Sequence, residues 1–320
     1  VEREVKTRSE PVALRIPSFA KVNLGLEVLG RRRDGYHELR TIFQTIDLHD
    51  DVVLRRAQGL SVKCDHPGVP EGAANLALRA ARLLRPYAGP RRGVEITITK
   101  RIPVSGGLGG GSSNAAAVLI GLDRLWRLGL GTAKLHGIAR RLGADVPFFL
   151  VGGTALGLAR GDEVYPLRRQ VRGHVVVVDT GRPVSTAAVF RRADRSLTAR
   201  ENGYTIFRFV SSDLEGDAGY RLLTNDLEKL ALEEAPELQR PAKRIRSILA
   251  RGGARLVSLS GSGSSFFGLY DEARKARHAQ RDLAAEGFTA FRGRTLSLER
   301  YRGILSEALG RRGAVVEWTR

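Results

Sequence analysis

The chain has 320 residues, 42% of them hydrophobic, the balance of a globular protein long enough for two cores. A single cysteine, Cys64, excludes an internal disulfide and offers no cysteine-built metal cluster, and no apolar run reaches membrane-spanning length. The formal charge of +19 favours polyanions or a phosphorylated small substrate, but the arginines are spread in short clusters such as 31–33 and 91–92, without the aromatic-interleaved patch of a nucleic-acid binder.

Residues 1–11 form a polar tail in which no secretory leader is expected, and residues 12–16 read as a short strand. After Pro17-Ser18, residues 19–28 form a strand in which Lys21, Asn23, Gly25 and Glu27 alternate with Val22, Leu24, Leu26 and Val28. One face is then buried, and Lys21 and Asn23 share the other, where a lone lysine ordinarily meets solvent. Asp34-Gly35 predicts a hairpin turn whose exit presents Tyr36 and His37. These offer an aromatic face and an imidazole suited to a base, or are simply two half-buried residues at a strand start. Residues 39–47 and 50–55 are expected as separate strands, 72–84 as a helix with Asn75 near its cap or facing the interior, and 93–99 as a strand.

The densest signal is residues 103–117, PVSGGLGGGSSNAAA. Glycine at this density marks tight turns or a close backbone approach, and here it stands between a strand and a helix over 114–128. Such a turn aims free N–H groups from the positive end of the helix dipole, which suits phosphate. No lysine follows the glycines, so it is not the common phosphate loop, and a dinucleotide fingerprint fits poorly. A tightly turned linker is the plain alternative. Ser112 and Ser113 can cap the helix or reach a phosphate or its cation.

Residues 130–141 form another helix, followed by Gly143-Ala144-Asp145-Val146-Pro147-Phe148-Phe149. Asp145, in so apolar a setting, either caps a helix or accepts hydrogen bonds and pairs with a cation. A strand over 154–159 and a turn at Gly161-Asp162 lead to a domain boundary near residue 171, giving domains 12–171 and 172–320. The second domain is expected to hold a strand at 174–178, a helix begun by Ser185 or Thr186, and an irregular polar stretch at 192–219 with Phe207 and Phe209 as anchors. Helices from 225 and over 241–250 follow, then a strand at 254–260. A second glycine-serine turn, Gly261-Ser262-Gly263-Ser264-Ser265, opens a strand at 266–270. A helix at 271–285, short strands at 288–290 and 295–298 and a loose terminal helix complete the chain. Two such turns, each after a strand, suggest one cleft shared by the domains.

The segments 103–117 and 259–267, together with Ser18 to Leu24 (SFAKVNL), Arg33 to Leu39 (RDGYHEL) and Leu142 to Phe148 (LGADVPF), resemble the kinase superfamily that includes galactokinase, homoserine kinase and mevalonate kinase. Within it the last three segments are similar to members acting on a cytidine diphosphate-linked polyol of the non-mevalonate isoprenoid route. The departures are mild: Ser105 in the loop, and SGSGSSFF in the second turn. The resemblance, running from about residue 12 to 298, implies an α+β fold of two domains. The first would be ribosomal-protein-like with a left-handed crossover, the second ferredoxin-like, with the active site between them.

It also implies ATP-dependent phosphorylation of an alcohol with Mg2+, Asp145 acting as base and Lys21 as its cationic partner. The nucleotide would lie on Pro103, Gly106, Gly107, Leu108, Gly109, Gly110, Gly111, Ser112 and Ser113. The substrate would meet Asn23, Tyr36, His37, Asp145, Thr186, Phe190, Gly261, Ser262 and Gly263, while no protein carboxylate is assigned to the metal. A cytoplasmic monomer or weak homodimer is expected, its partner the small cytidine diphosphate substrate, with no nucleic acid or membrane. Other readings are a different small-molecule kinase of the superfamily, an RNA-binding protein suggested by the charge, or an inactive regulator.

Overall fold

The structure, a computed structural model, describes residues 13–89, 92–196, 205–211 and 219–310. The polar tail, Val12, Arg91, and the parts of the irregular stretch at 197–204 and 212–218 lie outside the described residues. Two sheets organise the rest. The first takes β1 (Ala13–Arg31), β2 (His37–Ala57), β3 (Leu60–Cys64), β4 (Gly93–Thr99), β5 (Thr154–Leu158) and β6 (Glu163–Pro166) in the order β3-β4-β2-β5-β6, with β1 also on β2. The second takes β7 (His174–Asp179), β8 (Leu256–Leu259), β9 (Phe266–Tyr270) and β10 (Thr289–Arg294) in the order β10-β7-β9-β8, antiparallel throughout.

The two expected strands at 39–47 and 50–55 are one. Between them no glycine or proline breaks the run, and the polar residues that suggest a turn have partners instead. Asp50 is fully buried: it accepts from the backbone N–H groups of Arg101 and Ile102 and from Nζ of Lys100. The length of β2 lets residues 41–44 hold β5 and residues 51–57 hold β4, while β1 pairs along nearly all of it.

On β1 the expectation of one wet face fails. Lys21, Asn23 and Glu27 are 3%, 2% and 4% exposed, so both faces are covered. Leu14, Ile16 and Phe19 belong to the first core, whereas Ala20, Val22 and Leu24 belong to a layer between the sheets; the register shift at Phe19/Ala20 separates the two groups. Val175, Val177, Phe267 and Leu269 of the second sheet complete that layer. Val176 and Val178 point the other way, onto α8 (Gln239–Arg251) and α9 (Ala273–Ala285), so the valine run of β7 is buried on both faces.

Helices α1 (Leu76–Ala88), α2 (Gly110–Leu125) and α3 (Gly131–Leu142) answer to those expected at 72–84, 114–128 and 130–141, the first two displaced by three to four residues at each end, and Asn75 caps α1 by accepting from Ala77 N at 2.9 Å. After the short α4 (Phe148–Val151), the second body holds α5 (Thr186–Ser196), α6 (Thr205–Ser211) and α7 (Asp226–Glu234). Phe207 and Phe209 thus lie on a helix, not in irregular chain; Phe209 is buried and Phe207 stands under the Arg40 guanidinium. The α6 start is held by Glu27, which accepts from Ile206 N at 3.1 Å and from the Thr205 hydroxyl. Strands β3 and β6 were not expected.

The expected strand at 295–298 is a single bridge between Thr295 and Ile46, after which the chain turns into α10 (Leu298–Ala308). This last helix is firmly packed: Tyr301, Leu305 and Leu309 join the first core, beside Phe19 and Phe149. Its packing reaches across the chain because Tyr301 donates its hydroxyl proton to the carbonyl of Phe149, and burial pushes the phenol far above its ordinary range. No helix among the described residues is long and apolar enough to cross a membrane.

Replacing Tyr301 by Ala should lower unfolding free energy by about 3–5 kcal/mol through cavity formation, and Tyr301→Phe by about 1–2 kcal/mol through the lost hydrogen bond. Urea denaturation monitored by fluorescence checks both; an unaffected Tyr301→Ala midpoint would show that α10 contributes nothing to the core.

Candidate active site

The two glycine turns meet. At Gly107, with φ +73°, a Cβ would stand 2.0 Å from the carbonyl oxygen of Ser260; at Gly106 it would stand 2.3 Å from Oγ of Ser265. Only backbone without side chains approaches this closely. Hydrogen bonds lock the contact: Ser260 Oγ donates to Gly107 O at 2.9 Å and Ser265 N to Gly106 O at 3.1 Å. From below, Lys21 N donates to Leu108 O at 3.0 Å, and Asn225 Nδ2 donates to the carbonyls of Leu259 and Gly261. Helix α2 then starts from Gly109 in a left-handed conformation, with no side-chain cap and no acid in its first turn. An uncapped helix start of this kind presents N–H groups in a geometry that suits an anion.

Beneath this interlock Lys21 is buried. Its Nζ donates to Asn23 Oδ1 at 2.6 Å and lies 3.5 Å from Asp145 Oδ2. Asn23 in turn donates to Thr41 Oγ1 at 2.8 Å, and Thr41 donates to the carbonyl of Gly25 at 2.7 Å. With its proton committed to Gly25, the hydroxyl accepts from the Asn23 amide, and this turns the amide oxygen toward the ammonium. The cap reading of Asp145 is excluded, because α4 begins after Pro147 without a side-chain cap. The Lys21 side chain is 4% exposed and that of Asp145 35%, so the acid opens into the cleft while the cation stays beneath it.

Two cavities flank the glycine loop. The larger, 720 Å³, has Lys21, Asn23 and Asp145 at its floor, with Tyr36, His37, Thr186, Phe190, Gly261 and Ser262 among its walls. The smaller, 320 Å³, is lined by residues 103–112 together with Asn75, Lys100 and Asn114. Gly107, Gly109 and Ser112 line both. The loop is therefore the wall they share. Ser113 and Gly263 line neither cavity. Ser113 is 2% exposed and accepts from the Ser18 hydroxyl at 2.8 Å, within a buried chain that continues through Asn114 to Asp50 and Lys100. This chain anchors the root of the loop; its members are too far apart in sequence to form a motif.

The outer wall is aromatic. His37 stacks on Phe190, ring centroids 4.9 Å apart, and its Nε2 lies 2.9 Å from Oδ1 of Asp194. Asp194 follows Phe190 by one turn of α5, the only signal by which sequence could have found it. Thr186, at the start of the same helix, shares a 2.7 Å hydrogen bond with Ser262, and Ser185 caps it through Ala188 N. Tyr36 is 56% exposed, with the Arg160 guanidinium 4.8 Å from its ring centroid. Arg160 and Arg140 converge on the buried Asp162 at 2.6 and 3.0 Å. Burial alone would raise that carboxyl, but the two guanidiniums hold it below the usual carboxylate range.

Comparison with known proteins agrees with this geometry. The profile described as GHMP kinases N terminal domain matches residues 75–153, and that described as GHMP kinases C terminal matches residues 217–289. The two-domain fold and these matches are those of the GHMP kinase class. A 4-diphosphocytidyl-2-C-methyl-D-erythritol kinase of Citrifermentans bemidjiense is 42% identical over 286 residues, covering 88% of this chain and 99% of that protein. One from Solibacter usitatus is 41% identical over 298 residues, covering 91% and 92%. A crystal structure of a 4-(cytidine 5′-diphospho)-2C-methyl-D-erythritol kinase superposes with a TM-score of 0.70 at 38% identity, over 88% of this chain and 99% of that one. A homoserine kinase of Cytophaga hutchinsonii shares the fold, with a TM-score of 0.69 at 18% identity over 92% and 98%. The chain belongs to the 4-diphosphocytidyl-2-C-methyl-D-erythritol kinase family.

Asp162→Asn should destabilise the protein by about 3 kcal/mol at pH 7, by leaving two guanidiniums without their buried partner. Because the folded carboxyl titrates below its unfolded value, the gap should be full above the ordinary carboxylate pKa and close as pH falls through the folded one. Urea midpoints at a series of pH values check it; a pH-independent gap would contradict the charged pair.

Proposed function

We propose that the chain catalyses ATP-dependent phosphorylation of the 2-hydroxyl of 4-(cytidine 5′-diphospho)-2-C-methyl-D-erythritol, giving the 2-phosphate and ADP in the non-mevalonate isoprenoid route. One observation carries the reading: the Lys21–Asp145 pair opens into the larger cavity beside Gly107, Gly109 and Ser112, which also line the smaller one. ATP in the smaller cavity would lay its phosphates over the uncapped start of α2, within reach of an alcohol held in the larger. The relatives' shared name supports the substrate. The alternatives of another kinase of the superfamily or an RNA-binding protein are not favoured.

In this reading Asp145 takes the proton of the 2-hydroxyl as its oxygen forms a bond to the γ-phosphorus. The bond from that phosphorus to the β,γ-bridging oxygen breaks, and ADP leaves. Lys21 keeps Asp145 ionised and offsets charge gathering on the transferred group, while Asn23 fixes the direction of the ammonium. The N–H groups from Gly107 to Ser112 cradle the phosphates.

The described residues contain no cluster of three His, Cys, Asp or Glu able to cage a metal ion. Their donors fit Mg2+ only as an ion carried by the nucleotide, with the Ser112 hydroxyl as a protein oxygen within the loop. Bound there, the ion would supply shielding of phosphate charge. Cytosine would lie against the His37–Phe190 stack and Tyr36, with Thr186, Gly261 and Ser262 along the polyol and diphosphate.

The finer fold descriptions belong to the same reading. The order β10-β7-β9-β8, entered as β-α-β-β-α-β, supports a ferredoxin-like second domain. Parallel β3 and β4 joined through α1 support the crossover of a ribosomal-protein-like first domain. The boundary near residue 171, a cytoplasmic setting and a monomer or weak homodimer are retained as parts of the proposal; the expected second domain, 172–320, does not keep its last part, because α10 packs in the first core.

Asp145→Asn should lower kcat by about 10²- to 10⁴-fold while nucleotide affinity is kept. Coupled ADP-release kinetics beside nucleotide titration check it, and a normal kcat at saturating substrates would remove Asp145 as the base. His37→Ala should weaken binding of the cytidine compound about tenfold, with kcat changed little. An unchanged Kd would remove the cytosine role.

A further inference from the structure

Strands β7 and β9 carry the second glycine turn at one end, where Val178 pairs with Phe266. At their other end, about 13 Å away at 3.3 Å per strand residue, His174 pairs with Tyr270 on one side and Arg294 on the other. A groove of 500 Å³ lies there, lined by Arg172, His174, Arg255, Asp271, Arg294 and Arg300. The four guanidiniums come from four separate segments: the approach to β7, the approach to β8, the end of β10 and the first turn of α10. Their convergence is a property of the fold, not of a basic run in the sequence.

The groove is net positive, with Asp271 against four arginines, and the Arg255 guanidinium also lies over the Tyr220 ring, 4.7 Å from its centroid. Asp271, the acid in its lining, is engaged by Lys275 at 3.2 Å, and no described carboxylate is ion-paired to Arg172, Arg294 or Arg300. Burial, then the nearby Arg294 and Arg292, push His174 below the ordinary imidazole range, toward its neutral form. On an ordinary solvated face, arginines spread apart or find acids; here they share a concavity. Guanidinium forks meet phosphoryl oxygens two at a time, and one phosphate cannot span four of them.

We propose that this groove binds a small oligophosphate, a ligand with two or more phosphoryl groups, at a site separate from the catalytic cleft. Its position gives binding a mechanical meaning. The chain crosses from the first sheet to the second at residues 171–173 and returns at 295–297, and the two crossings are stitched together. Gly173 N donates to Thr295 Oγ1 at 3.0 Å, Thr295 N to Gly173 O at 3.1 Å, and Leu296 N to Thr45 O at 2.9 Å. A ligand held by Arg172, Arg294 and Arg300 would clamp both crossings and fix the angle between the bodies.

The test is calorimetric titration of inorganic tripolyphosphate into the full chain saturated with a non-hydrolysable ATP analogue, so that the glycine loop is occupied. One further equivalent should bind. The double variant Arg294→Ser/Arg300→Ser should lose at least about tenfold in affinity, and Arg294→Lys, which keeps the charge, much less. Both arginines are exposed, so Tm and turnover without tripolyphosphate should stay unchanged. Absence of the added equivalent, or its survival in the double variant, would overturn the proposal. So would displacement of tripolyphosphate by single-stranded RNA at equal phosphate concentration, which would assign the groove to a polynucleotide. If the ATP analogue itself fails to bind, the kinase reading fails, while loss or survival of tripolyphosphate binding in the double variant still decides the groove.

Discussion

The architecture turns on keeping one ammonium group, that of Lys21, out of water. An unpaired cation at that depth would cost several kcal/mol, so its surroundings are built to compensate it. Asn23 supplies one acceptor and Asp145 a counter-charge, and Thr41 holds Asn23 in the orientation that makes it useful. The cover over the lysine is backbone. At Gly109 a Cβ would press on Phe149 and on the lysine stem, and Gly261, left-handed at φ +58°, passes close to Nζ. The glycines therefore serve two ends at once. They bring backbone to the wall that the two cavities share, and they let two turns close over a charge that larger residues would hold open.

The site is divided in space. Its loop separates a smaller, glycine-lined cavity from a larger one walled by aromatic rings and arginine, and only a few loop atoms face both. A group passing between the cavities must pass over those atoms, next to the one carboxylate that Lys21 holds ready. The outer wall of the larger cavity rests on α5, whose Thr186, Phe190 and Asp194 sit on successive turns and tie the second glycine turn to His37.

Much of this was legible because its causes are local. Glycine density and an acid before Val-Pro-Phe-Phe each follow from a few neighbouring residues and drew attention to the loop and Asp145, whereas Lys21 was reached through the resemblance carried by Ser18 to Leu24. The failures share a different cause. Lys21, Asn23 and Glu27 look like a wet strand face, yet each is polar because of a partner far along the chain: Asp145, Thr41 and the start of α6. Asp50 looked like the start of a separate strand because the groups it satisfies, from Lys100 to Asn114, lie at least 50 residues on. Asp194 had only its one-turn spacing from Phe190 as a signal until His37 was seen beside it. A polar residue in a strand is ambiguous until the other sheet is in place, and periodicity carries no information about that.

The last helix sets an order on how the molecule comes into being. Tyr301, Leu305 and Leu309 fill the core of the first body, yet every residue of the second body's sheet is synthesised before them. During translation the second body can pack its own helices and sheet while the first still lacks one side of its interior. The glycine loop, which leans on Phe149 beneath that missing side, would gain its final support only when the end of the described chain arrives. Support for the cleft thus comes in part from α10, which follows every strand of both sheets in the chain, although the loop, Lys21 and Asp145 all lie before residue 150.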